Sequence, residues 1–221
     1  TNYGVDRFDT RDRRIEMLAG FQRVYKFAAR SRDEAFFLHG NKLYGYVASK
    51  GAFEPVDVRG AELTGVLRMC LDGDGALWLV RSGDIRCAQV AYDADGRASV
   101  GEWERMTMPD GVVFTRYDGD RTIFFTDRNG MLFRFDTEQR RAFPIFDLRE
   151  ELGRRGALSS VISDKDDYVL AFGMSGVLRL RSTDPIEGRY ELQEIDVNCG
   201  VFALLKDCNQ DIVWILSLIH I

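Results

Sequence analysis

Val66-Leu67-Arg68-Met69-Cys70-Leu71, Asp72-Gly73-Asp74-Gly75, Ala76-Leu77-Trp78-Leu79-Val80 decides the fold. Two apolar runs of strand length flank four residues built for a tight reversal. Asp bonds its own backbone there and Gly takes positive φ. The unit recurs. Val112–Tyr117, Asp118–Arg121 and Thr122–Phe125 repeat it, as do Leu158–Ser163, Asp164–Asp167 and Tyr168–Ala171. Val201–Lys206, Asp207–Gln210 and Asp211–Trp214 give a further copy, and Val24–Ala29, Arg30–Asp33 and Ala35–Leu38 a degenerate one. The leading Asp72, Asp118, Asp164 and Asp207 are spaced by 46, 46 and 43 residues. A propeller blade repeats every ~40–50 residues.

A third strand opened by Gly follows each hairpin, at Gly40, Gly83, Gly130 and Gly176, where a positive φ is expected. A fourth, outer strand follows at Arg141–Phe146 and Tyr190–Ile195, and Leu148–Arg155 reads as a short helical connector. The expected fold is therefore all-β: a β-propeller of four-stranded antiparallel blades, an incomplete ring with about five blades present. Residues 1–215 form one partial propeller domain, since no Pro- or Ser-rich linker divides them. Thr1–Asp9 parallels Asn129–Asp136, so the chain is expected to begin at the third strand of a blade. An unclosed array leaves two sheet faces without neighbours, which predicts low stability. Leu216–Ile221 has no place in the repeat and equals the translation of a transposon adaptor used in sequencing-library preparation. Residues 216–221 are read as that scar rather than as native sequence.

The 221 residues carry a net charge of -5 with no basic stripe, which argues against nucleic-acid contacts. No apolar stretch approaches the ~20 residues of a membrane span. The histidines are His39 and His220; His39 closes the run Phe36-Phe37-Leu38 and reads as a turn residue rather than a catalytic base. Cys70, Cys87, Cys199 and Cys208 form no CxxC pair; Cys70 and Cys87 fall in strands and read as buried thiols, a disulfide being the alternative. Asp72-Gly73-Asp74-Gly75 reads as a structural turn, with a calcium loop as the alternative. The segment is also similar to the Asp-box of sialidase-type propellers, which marks a turn and not an active site.

Trp78 and Trp214 occupy equivalent positions and are expected to pack between neighbouring blades. Trp103 reads as an outer-strand residue, or else a sugar-stacking platform; Arg116 and Tyr117 are candidates to face a ligand. The sequence assigns no catalytic, cofactor-binding or metal-ligating residue, needs no cofactor, and singles out no ligand contact.

Asp72, Gly75, Leu77 and Trp78, then Asp207, Ile212, Trp214 and Ile215, then Gly4, Val5, Arg7, Phe8 and Asp9, with Gly130, Arg134, Phe135 and Asp136, give a pattern that resembles the two-component regulator propeller repeat. Here the Trp is absent from the copies at Ser31 and Asp164, and Leu79-Val80-Arg81 replaces the repeat's I-G-T. The resemblance implies a non-enzymatic, ligand-sensing part of a hybrid two-component histidine kinase. It would be the periplasmic portion of an inner-membrane protein. It also implies an oligosaccharide ligand, control of glycan-utilisation genes, a second propeller and a β-sandwich in the same parent chain, and a homodimer at full length. The alternatives are a protein-interaction scaffold and a carbohydrate-active propeller enzyme.

Overall fold

The structure is a computed structural model and describes residues 5–9, 11–21, 24, 26–108, 111–117, 121–173, 175–197, 200–207 and 212–217. The chain divides into two compact units, Thr1–Gly111 and Val112–Ile221.

The first unit opens with β1 (Val5–Asp9) and β2 (Arg14–Ala19), an antiparallel pair. Strands β3 (Lys26–Ala29), β4 (Ala35–His39), β5 (Lys42–Val47) and β6 (Ala52–Pro55) make a four-stranded antiparallel sheet in chain order. Then come β7 (Asp57–Val58), β8 (Val66–Leu71), β9 (Ala76–Arg81), β10 (Asp84–Tyr92), β11 (Ala98–Val100) and β12 (Glu104–Thr107). The second blade is β8-β9-β10-β12, with Asp84–Cys87 of β10 opposite Glu104–Thr107.

Strand β10 overshoots its blade. Val90–Tyr92 folds onto β11, and β11 lies parallel to β7. This arm is tied to the preceding blade by the Arg97–Glu54 ion pair at 2.9 Å, by the Tyr92 hydroxyl donating to Glu34 at 3.2 Å, and by the Ser49 hydroxyl donating to the Asp95 carbonyl at 3.1 Å. Burial of the Tyr92 ring, with the Glu34 charge beside it, pushes its hydroxyl up to about 12.

The second unit holds β13 (Phe114–Tyr117), β14 (Thr122–Thr126), β15 (Met131–Asp136) and β16 (Arg141–Asp147), then α1 (Arg149–Arg155). Strands β17 (Ser160–Asp164), β18 (Asp167–Ala171), β19 (Val177–Asp184) and β20 (Arg189–Ile195) follow, then the pair β21 (Val201–Lys206) and β22 (Val213–Ser217). Both four-stranded sheets are antiparallel in chain order. The described residues thus give four complete blades and two half-blades, and the fold class is the all-β propeller that the period predicts.

Second strands show why the apolar runs are nearly continuous. Every residue of β9 from Ala76 to Val80 is buried, as are Ile123–Thr126 of β14 and Tyr168–Ala171 of β18. In β18, Tyr168 and Leu170 pack with Phe124 and Leu132 on one side while Val169 and Ala171 pack with Val201 and Leu204 on the other, which removes the alternation that a half-solvated strand would need. Phe36, Leu38, Met69, Leu77 and Leu79 form the core shared by the two blades of the first unit. In the second, Phe124, Leu132, Leu170 and Leu178 meet Leu148 and Leu152 of the connector region.

Two expectations change. Gly83 does not take a positive φ, whereas Gly40, Gly130 and Gly176 do. Strands β13 and β17 begin two residues later than the runs at Val112 and Leu158, which are buried without joining the ladder. Leu216 and Ser217 continue β22, opposite Ala203 and Val201, while residues 218–221 lie outside the described residues. So do Asp118, Cys199, Cys208, His220 and the turn residues 209–211.

Candidate functional site

The Asp turn is a closed device. Asp72 Oδ1 accepts from the N–H groups of Asp74 and Ala76, and Oδ2 from the Trp78 indole N–H at 2.6 Å. Both carboxylate oxygens are therefore committed inside the turn, and Gly75 at φ +81° completes the reversal. These bonds are those of a structural turn. Among the described residues no group of three or more His, Cys, Asp or Glu could hold a metal ion.

The same lock recurs at two places that the 46-residue spacing did not group. Asp93 Oδ1 receives the N–H groups of Asp95 and Arg97, and Asp127 Oδ1 those of Asn129 and Met131. Their shared signature is D-x-[D/N]-G. Asp164, by contrast, sits beside a turn with Lys165 at positive φ and receives the Lys206 ammonium at 2.9 Å, tying β17 to β21.

The other singled-out residues fall as follows. Trp78 is 1% exposed between Cys70 on β8 and Cys87 on β10, both buried thiols. Two strand spacings separate those thiols, about 9–10 Å, too far for a disulfide. Trp214, the equivalent on β22, is 59% exposed; its partner Leu205 and neighbour Leu216 share its face, which points away from β17–β20.

Trp103 sits just before β12, half-buried against the first unit's core, and its N–H donates to the Arg59 carbonyl at 2.9 Å. It is no open platform. His39 ends β4 with its ring 5.1 Å from Phe21. Arg116 reaches the Leu204 carbonyl at 3.4 Å, and Tyr117 beside it is half-buried.

Two hollows in the first unit are roomier than any turn. A cleft of about 550 Å³ has Leu43, Val56 and Leu63 as its floor and Asn41, Lys42, Asp57, Glu62 and Thr64 on its walls. Val56 N–H donates to the Leu43 carbonyl at 2.9 Å, and β7 is held by β11, so the overshooting arm fixes one wall. The wall carries donors and acceptors of both signs. The Thr64 hydroxyl donates to Glu62, and Asp57 lies 3.3 Å from Arg59. No sequence signal marked this cleft, because its walls come from three separated segments.

A second groove, about 450 Å³, runs beside β1 and is lined by Phe27, Ala29, Ala35, Tyr46 and Phe53 with Arg7, Arg11 and Arg32 at its rim. The Arg7 guanidinium donates to the Tyr46 hydroxyl at 3.2 Å and to Glu16 at 2.6 Å; that Glu16 bond, outweighing partial desolvation, raises its pKa above the usual guanidinium value.

No family model matches the chain, and no curated protein sequence matches it. Solved structures do. The chain is similar to the extracellular domain of a protein assigned to a hybrid two-component system of B. thetaiotaomicron, at 14% identity and TM-score 0.66, over 98% of this chain and 29% of that one. It is similar to PorZ, a surface component of the type-IX secretion system of Porphyromonas gingivalis, at 14% identity and TM-score 0.60, over 90% of this chain and 25% of that one. It is also similar to U3-55K, at 11% identity and TM-score 0.60, over 93% and 64%. The chain spans less than a third of the length of the first two. At these identities the likeness establishes the fold.

Proposed function

We propose that this chain is a ligand-recognition segment of an extracytoplasmic sensor, and that the polar cleft at Asn41, Lys42, Asp57, Glu62 and Thr64 takes a neutral oligosaccharide. The observation that carries the reading is the cleft itself: an open surface, rigidly walled, with mixed donors and acceptors over an apolar floor. Sugars need paired donors and acceptors, and the opposed charges of Lys42 against Asp57 and Glu62 favour no anion. The likeness to an extracellular two-component domain over 98% of the chain supports the cellular setting.

On this reading the parent is a periplasm-facing hybrid histidine kinase in the inner membrane that controls glycan-utilisation genes. A second propeller, a β-sandwich and homodimerisation belong to that parent, and the fragment recognises rather than catalyses. Ligand would act by binding one arrangement of the parent better than another, since only differential affinity shifts an equilibrium.

Titration calorimetry with a panel of neutral oligosaccharides tests it. The Asp57→Asn, Glu62→Gln pair should weaken binding about thirtyfold or more, two lost charge-assisted bonds at about 1–1.5 kcal/mol each. The melting temperature should stay unchanged. Absence of binding to every neutral glycan, or binding indifferent to the pair, overturns the proposal.

A further inference from the structure

We infer that the arm formed by β10 and β11 is a latch on the polar cleft: seating of its tip on the first blade holds the cleft wall in place. The latch regulates the site already proposed, and it rests on that reading only for the identity of the ligand.

The wall runs from Asp57 to Thr64 and is pinned near its two ends. At its start the Val56 N–H donates to the Leu43 carbonyl at 2.9 Å. Farther on, Leu63 is buried in the core of the first unit, and the Trp103 indole N–H donates to the Arg59 carbonyl at 2.9 Å. Between those points the sheet bonds go to the arm. Strand β7 has β11 as its one neighbour among the described strands, with Asp57 opposite Ser99 and Val58 opposite Val100. The Arg59 N–H donates to the Val100 carbonyl at 2.9 Å. Asp57 and Val58 therefore stand in the cleft where β11 places them.

The arm is stiff at its base and lightly held at its tip. Ala98 and Val100 are buried in the same core as Leu43 and Leu63, so a movement of the arm is passed to the wall rather than absorbed. At the tip, Asp93 locks the turn through the N–H groups of Asp95 and Arg97. That turn is seated on the first blade by Arg97 on Glu54, Tyr92 on Glu34 and Ser49 on the Asp95 carbonyl. Lys50 shares Glu54 with Arg97. Such exposed bonds are individually weak and screened by salt, so the tip is the part of the device that can release. Occupancy of the cleft and seating of the tip must then favour one another, because coupling between two sites is reciprocal.

Hydrogen exchange on the ligand-free chain reads the latch directly. Arg97→Glu sets two carboxylates against each other, and Arg97 is not among the residues lining the cleft. The Arg59 amide should exchange faster by up to about fivefold, the ceiling for one exposed ion pair, while β8 and β9 keep their rates. The charge swap Glu54→Arg with Arg97→Glu should restore the wild-type rate. An Arg59 amide that exchanges alike in all three chains overturns the inference, and so does a swap that fails to restore it. A neutral oligosaccharide bound by the wild type should bind Arg97→Glu more weakly by a similar factor and the swap as the wild type does. Equal affinity for all three chains overturns the latch and leaves the cleft as the site. A wild type that binds no neutral oligosaccharide sinks the proposed ligand alone, and the latch then stands or falls on the Arg59 exchange.

Discussion

At the scale of single residues, one sequence signature does unequal work. Asp72, Asp93 and Asp127 lock identical turns, yet only Asp72 also receives an indole N–H and is buried beneath it. Asp72→Ala would strand the Trp78 N–H and two backbone donors, so a loss of about 2–4 kcal/mol is expected. Asp93→Ala, in an exposed arm, should cost less than about 1 kcal/mol. Urea denaturation of the two variants measures the gap, and equal losses would refute the role of the indole. The glycines separate in the same way. Gly130 and Gly96 sit at φ +81° and +80°, but a Cβ on Gly130 would come within 2.9 Å of Arg149 Cγ and 3.2 Å of its Cα, while one on Gly96 meets only Val47 at 4.0 Å. Gly130→Ala should therefore exceed the ~1–2 kcal/mol that left-handed backbone costs by itself, and Gly96→Ala should show that cost alone. The Asp–Gly spacing was legible in the chain. Closure of Trp78 on Asp72 was not, because it depends on a side-chain rotamer that the local pattern does not fix.

Among the elements, the connector helix and the arm matter most. Helix α1 holds Glu151 in the second unit's interior; burial acts to raise its pKa, but hydrogen bonds from Arg154 and Arg155 outweigh that and hold it below the usual carboxylate value. A carboxylate whose folded pKa is depressed stabilises the fold above its unfolded pKa of about 4.3, and that stability is lost as pH falls through the folded value. Glu151→Gln should thus cost about 2 kcal/mol at pH 7 and progressively less in acid below about pH 4. Denaturation curves at neutral and acid pH check it; a penalty independent of pH would mean packing, not charge, dominates. The helix at Leu148–Arg155 was legible from its residues. The β10–β11 arm was not: Ala88–Val100 alternates as an ordinary outer strand would, and its parallel partner β7 lies about forty residues away in the chain.

For the whole molecule, occupancy of the polar cleft couples recognition to stability. If a neutral oligosaccharide binds the folded chain there, the melting temperature must rise with ligand concentration, because binding to the folded form stabilises it by mass action. The Asp57→Asn, Glu62→Gln pair should flatten that dependence while leaving the unliganded melting point unchanged. Differential scanning fluorimetry across an oligosaccharide series decides it, and a wild-type melting point that does not move at saturating ligand would sink the coupling.

The sequence by itself determined the blades, since a strand, a D-x-x-G reversal and a second strand are interactions within a dozen residues. It also determined the core-forming second strands, whose unbroken apolar runs leave no face for solvent. Only the tertiary structure decided that Trp78 closes on Asp72, where the polar cleft lies and how the arm reaches back. Each of those depends on what stands across a sheet face, and two segments with the same local pattern meet different neighbours there.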